Sequence, residues 1–229
     1  MKRVFPILGI LTAILLSYAL YEALVVAPTE QTMGNVQRIF YYHVPSAWTA
    51  FLLFLINFIA SVVYLVRRNP VADVIALVTA EVGVVFCTVV LVTGPLWARP
   101  VWGIWWTWDI RLTSTLVLWL IYIAYLMLRR FSTSGQTPVL AAALAVFGAL
   151  DVPLVYFSIW IFRTQHPQPV IGGGGSIDPV MLHVLLINWA AFLCLAALVC
   201  WSRYRLEMLQ REVEQAQAQE SLVAPRGAR

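Results

Sequence analysis

The segment VWGIWWTWDIRLTS, Val101 to Ser114, sets Trp102, Trp105, Trp106 and Trp108 within seven positions and follows them with Asp109 and Arg111. Ten tryptophans in 229 residues would put roughly 0.3 in any such window, and an interfacial aromatic belt scatters indoles near span ends rather than stacking them in one. The chain has three histidines: His43 in YYHVPSAW, His166 in RTQHPQPV and His183 in DPVMLHVLL. Imidazole nitrogen ligates transition metals and haem iron, indole faces and edges hold flat apolar rings, and guanidinium groups pair with carboxylates. Together these residue types suit a flat, mostly apolar macrocycle with carboxylate tails and a central iron. His43 and His183 are the candidate axial ligands, the four tryptophans the candidate ring contacts, and Arg111, Arg99 and Arg38 the candidate cations.

The elements that must position these groups are set by composition. With 61% hydrophobic and 11% charged residues and a mean hydropathy of +0.81, the chain is too apolar for an ordinary water-soluble domain. Apolar runs of the roughly 20 residues needed to cross a bilayer lie at about Val4–Val26, Ala47–Val66, Val74–Leu96, Leu112–Leu128, Val139–Ile161 and Val180–Trp201. The fold class is therefore an all-α integral membrane protein with six transmembrane helices. The first run is longer than a signal-peptide core and has no clear small-x-small cleavage site, so it reads as a true span. Two domains are expected: residues 1–202 as the six-helix transmembrane unit and 203–229 as a polar tail, helical at first with Leu206, Leu209 and Val213 on one face, then disordered.

Six spans put both termini on one side, and basic residues near the span ends choose which. With an inner N-terminus, the inner side holds Lys2, Arg3, Arg67, Arg68, Arg129, Arg130, Arg203 and Arg205, against Arg38, Arg99, Arg111 and Arg163 outside. The expected topology is N-in, C-in, with the Trp-rich loop between the third and fourth helices on the extracytoplasmic side. The net charge of +4 is then a topology signal, and nucleic acid is excluded as a partner.

All three histidines fall on that outer side. Asp178 and Pro179 read as the N-cap and first position of the sixth span, which puts His183 about 6 Å below its mouth. Pro45 and Ser46 place the start of the second helix just after His43. One histidine near a helix end is ordinarily a hydrogen-bonding group; two at matched positions beside an aromatic loop point to iron or another metal. His166, between Gln165 and Pro167 in a polar loop, reads as exposed. Trp102, Trp105 and Trp106 have the spacing to share one helical face, and Asp109 is placed to cap the helix that starts near Leu112. Gly172 to Gly175 read as a flexible loop, since no Lys-Ser or Lys-Thr pair follows to make a phosphate cradle. Cys87, Cys194 and Cys200 lie inside spans and read as packing residues. Glu81 and Asp151, costly inside hydrocarbon, mark either a polar route or subunit contact, or a structural bond such as Asp151 at the backbone freed by Pro153.

WGIWWTWDIRLTS resembles the tryptophan-rich WWD signature of the haem-handling proteins of cytochrome c maturation, and its RLTS ending is similar to that of the haem exporter protein C branch. The resemblance covers nearly the whole chain. It implies haem b held at the outer face by two histidines, here His43 and His183, on a platform of Trp102, Trp105, Trp106 and Trp108 shaped by Asp109. It further implies a bacterial inner-membrane protein with a periplasmic working face. Its implied partners are a periplasmic haem chaperone, the ATPase and membrane subunits of an ABC transporter, a small single-span membrane subunit and membrane lipid.

The chain has no evident nucleophile–base pair, nucleotide motif or CxxC, so no intrinsic enzyme activity is expected beyond assisting covalent haem attachment to a partner. Two other classes compete. A b-type cytochrome electron carrier also uses paired histidines, but ordinarily at two depths. A solute transporter would need a polar site on broken helices near the midplane, for which Asp151 with Pro153 is the support.

Overall fold

Long apolar runs in a medium without water must satisfy their own backbone groups, and the described spans do so by helices. The computed structural model describes residues 4–162, 164–169 and 177–223. Lys2, Arg3, Arg163, Gly172 to Gly175 and the tail beyond Val223 lie outside these. Among the described residues seven α-helices follow in order: α1 Val4–Tyr21, α2 Phe40–Arg67, α3 Pro70–Trp102, α4 Ile110–Phe131, α5 Thr137–Ala149, α6 Asp151–Ile161 and α7 Pro179–Val223. They make six segments long and apolar enough to cross a membrane, α5 and α6 together forming one of them, Thr137–Ile161. No strand occurs among the described residues.

α1 ends in one π-helical turn, Glu22–Val26, closed by the Ala27 N–H donating to the Glu22 carbonyl at 2.8 Å. Arg38 reaches back from the next turn to donate to the carbonyls of Ala23 at 2.6 Å and Ala27 at 3.0 Å, supplying donors to a helix end that would otherwise lack them. α2 begins at Phe40 behind a 3₁₀ turn, Asn35–Ile39. It therefore starts before His43, not after it as Pro45 suggests: a proline inside the helix withholds one N–H, and the preceding turn carries the helix across it. Between α2 and α3 the link is two residues long. Arg68 takes the left-handed conformation at φ 53° and Asn69 caps α3 by accepting from the Val71 N–H at 2.9 Å, with Pro70 at the first position.

α3 has 33 residues, about 50 Å at 1.5 Å per residue, against a hydrocarbon core of about 30 Å. It therefore overshoots the core and carries Trp97 and Trp102 with it. Its partner α2 packs closely at Gly83, where an added Cβ would sit 2.7 Å from the Phe54 ring. Phe54 in turn stacks on Tyr122 of α4 at 3.9 Å and 14°. Asn57, buried in the same layer, donates to the Ala76 carbonyl at 2.7 Å and accepts from Tyr122 Oη at 3.2 Å. Buried alanines, among them Ala50, Ala80, Ala141 and Ala145, let the helices approach.

The fifth span breaks at Leu150, three residues before Pro153. Proline lacks the N–H that would bond to residue 149, and the helix restarts as α6. Asp151 sits at that restart with Oδ2 buried and without a partner among the described residues, so of the two readings of this carboxylate the bond to freed backbone is not seen there.

Ion pairs fasten the end remote from the histidine loops. Arg129 of α4 grips Asp73 of α3 through two nitrogens at 2.6 and 2.9 Å, and Arg211 of α7 adds a third bond at 2.8 Å. Glu81 takes two bonds from Arg203, at 2.8 and 3.0 Å. α7 continues without interruption through residue 203 to Val223, so the polar extension is the same rod as the last span.

Candidate functional site

His43 stands on α2 with its ring against α3. Its Nδ1 lies 2.8 Å from Thr93 Oγ1, and the ring carbon Cε1 would be 3.5 Å from a Cβ at Gly94. Beside it is His166, whose ring centroid is 6.4 Å away at an interplanar angle of 32°. Sequence reading leaves His166 exposed in a polar loop; it is half-buried next to His43. His166 Nδ1 faces the Pro167 carbonyl at 2.9 Å. A carbonyl can only accept, so Nδ1 carries the proton and Nε2 keeps its lone pair. Burial pushes the His166 imidazole down to about 4, assisted by the positive charge of Arg111 and opposed by the Pro167 carbonyl and Asp109. The ring is neutral at physiological pH, the form that ligates a metal.

His183 is placed otherwise. Asp178 caps α7 as expected, accepting from Val180 N–H at 2.8 Å and Met181 N–H at 3.3 Å. His183 follows on the exposed face, while its neighbours Val184 and Leu185 turn inward to pack with Tyr41, Ala23 and Ala27. Among the described residues it joins no aromatic pair, and the structure does not bring it to His43 as it brings His166.

The Trp-rich loop is not a helical turn. Gly103 takes φ +80° and returns its N–H to the Arg99 carbonyl at 3.0 Å, ending α3 at Trp102; a left-handed residue after the last turn is where glycine is favoured. Trp102 thus stays on the helix, edge-on to Trp97 at 5.2 Å. Trp106 and Trp108 pair edge-on at 5.8 Å in the non-helical stretch. Trp105 is 56% and Trp108 77% exposed, a large apolar area left uncovered, while the buried Trp106 Nε1–H has no acceptor among the described residues.

Asp109 joins the two loops. One carboxylate oxygen caps α4, accepting from the Leu112 N–H at 2.9 Å; the other accepts from Thr107 Oγ1 at 3.2 Å and the Gln165 N–H at 3.4 Å. Gln165 precedes His166, so the residue that starts α4 also fixes the histidine loop. Of the candidate cations, Arg38 is committed to the end of α1 and Arg99 to the Gly103 carbonyl. Arg111 has a single long bond, 3.3 Å, to the Val155 carbonyl and lies near enough to His166 to act on its charge.

The donor set fits a haem. His43 and His166, with ring centroids 6.4 Å apart and planes inclined by 32°, would supply two imidazole nitrogens to its iron. No group of three or more His, Cys, Asp or Glu side chains able to hold a bare metal ion occurs among the described residues, which sets the pair apart from a multidentate metal centre. Sequence reading does not anticipate that His166 and Thr93 lie against His43. The available signal was position: the segments bearing His43 and His166 flank the Trp loop in the chain, and Thr93 lies on α3 at the level of the α2 N-terminal turns.

These features define a polytopic α-helical membrane protein whose one end presents paired imidazoles beside an exposed tryptophan loop. Its sequence matches the family model described as Heme exporter protein C over residues 1–219, and the chain belongs to that family. It is 38% identical to the Heme exporter protein C of Bradyrhizobium diazoefficiens, over 94% of this chain and 82% of that one. A mitochondrial protein of Marchantia polymorpha named for cytochrome c biosynthesis is 34% identical, over 80% of this chain and 79% of its own. Heme exporter protein C of Escherichia coli is 32% identical, over 90% and 84%.

Proposed function

We propose that this protein receives haem b at the histidine end, holds it on the tryptophan loop, and hands it to a haem chaperone during cytochrome c maturation. The observation that carries the reading is the juxtaposition of His43 and His166, ring centroids 6.4 Å apart, tied through the Gln165 N–H and Asp109 to the loop whose Trp105 and Trp108 are largely exposed. Haem supplies the iron that accepts the two imidazole nitrogens. Everything else is the work of this chain: the loop tryptophans shield the ring, Asp109 ties the platform to the His166 loop, and Arg111 offers a cation in reach of the same space.

His43 is the first axial ligand. Sequence spacing names His183 as the second, whereas the geometry supports His166. Removing each in turn separates them. Membership of the exporter family supports partnership with an ABC transporter and, beyond it, with a single-span subunit; the basic bias of the opposite end supports a working face on the periplasmic side of the inner membrane. The test is transfer: protein purified in detergent is expected to carry extractable haem b and to lose it to a purified periplasmic haem chaperone. Protein that binds no haem, or never yields it, contradicts the reading.

A transporter reading draws on the broken α5–α6 span and the unpartnered Asp151 Oδ2 beside it. It predicts solute uptake that survives loss of all three histidines.

A further inference from the structure

The Thr93 hydroxyl has one proton and lies within reach of both a backbone carbonyl and an imidazole nitrogen. Oγ1 lies 2.7 Å from the Val89 carbonyl oxygen, one turn back on α3. A carbonyl oxygen has nothing to donate, so any hydrogen bond there has the hydroxyl as its donor. The same Oγ1 lies 2.8 Å from His43 Nδ1. Both short contacts are hydrogen bonds only when the hydroxyl donates to Val89 and accepts from an Nδ1–H; the other tautomer leaves one of the two contacts without a proton. Gly94 follows, close enough to His43 Cε1 that the ring rests against the α3 backbone.

We propose that Thr93 is the positioning residue that holds His43 as its Nδ1–H tautomer and aims Nε2 at the iron. For its consequence, though not for the tautomer itself, the inference rests on the haem-binding reading above. Groups that bond the far nitrogen of a ligating histidine fix its tautomer and orientation and raise its basicity. On this chain the two imidazoles achieve the same state by different means: His166 through the backbone carbonyl of Pro167, at 2.9 Å, and His43 through a threonine side chain. Only the second can be removed by one substitution.

The full-length protein, labelled with ¹⁵N-histidine and purified haem-free in detergent, reports both tautomers by long-range ¹H–¹⁵N correlation, with His43→Ala and His166→Ala assigning the signals. In wild type both rings are expected as Nδ1–H. Thr93→Val replaces the hydroxyl by a methyl of similar size; the His43 signal is expected to move to the Nε2–H form that neutral imidazole favours in water, while the His166 signal stays. Added haem, followed by its absorption, is expected to bind about 10-fold more weakly to Thr93→Val, and Thr93→Ser is expected to restore both readouts. If Thr93→Val does not fold, wild type and Thr93→Ser alone decide, through the His43 tautomer. A wild-type His43 in the Nε2–H form overturns the proposal, as does a Thr93→Val protein with unchanged tautomer and unchanged haem affinity. A tautomer that responds as expected in a protein that binds no haem upholds the positioning role and removes the haem reading instead.

Discussion

At the scale of single residues, the site is assembled from groups whose hydrogen bonds leave something over. Asp109 spends one oxygen on the α4 cap and the other on Thr107 and the Gln165 N–H. Asp109→Ala loses all of these and is expected to cost about 1 kcal/mol as a lost N-cap, along with bound haem. Asp109→Asn can still cap α4 but has only one acceptor oxygen, so stability is expected to stay close to wild type while haem retention falls. Thermal unfolding and haem absorption on the same preparations separate the two. Trp108, 77% exposed, supports no core: Trp108→Leu is expected to leave stability within about 0.5 kcal/mol while reducing haem occupancy, measured by haem extraction. The tryptophans, Asp109 and His43 stand out in the sequence because their types are chemically committed. The nearness of His166 to His43 was not legible, because the two lie far apart in the chain and the glutamine and proline around His166 look like any exposed loop.

Among the elements, positions where one chain segment presses on another make the sharpest tests. Gly83→Ala puts a Cβ 2.7 Å from the Phe54 ring, and the stacked Phe54–Tyr122 pair has no free space to retreat; a loss of about 1 to 3 kcal/mol is expected, visible as a lower unfolding temperature. Gly103→Ala asks an L-residue to hold φ +80°, at about 1 to 2 kcal/mol, and is expected to loosen the Trp loop, read as faster hydrogen exchange there. The six spans were legible because hydropathy and bilayer thickness fix them, and so were the Asp109 and Asp178 caps. Helix starts and breaks were less so. Pro45 is the natural start signal for α2, yet the 3₁₀ turn at Asn35–Ile39 carries the helix past it. The 3 and 4 spacing of Trp102, Trp105 and Trp106 suits a helix that Gly103 ends.

Across the whole molecule, charge divides the work between the two ends. The end away from the histidines is fastened by Asp73, 3% exposed, held by Arg129 and Arg211, and by Glu81 with Arg203. Sequence singled out Glu81 as costly in the membrane but could not name its partner on α7, more than a hundred residues later. Asp73→Ala leaves the buried Arg129 with no counter-charge, while Arg211 keeps Glu207, and breaking such a buried group is expected to cost about 3 to 5 kcal/mol, seen as loss of folded protein in detergent. The histidine end, by contrast, keeps among the described residues the unpartnered Trp106 Nε1–H and the exposed indoles of Trp105 and Trp108, features that suit the proposed acceptance and release of haem. The most direct test of that contrast is the visible absorption spectrum of the purified protein beside its His43→Ala, His166→Ala and His183→Ala variants. The account predicts a Soret band that weakens or shifts in the first two and persists in the third. A band unchanged by losing His43 and His166, or abolished only by losing His183, would contradict it.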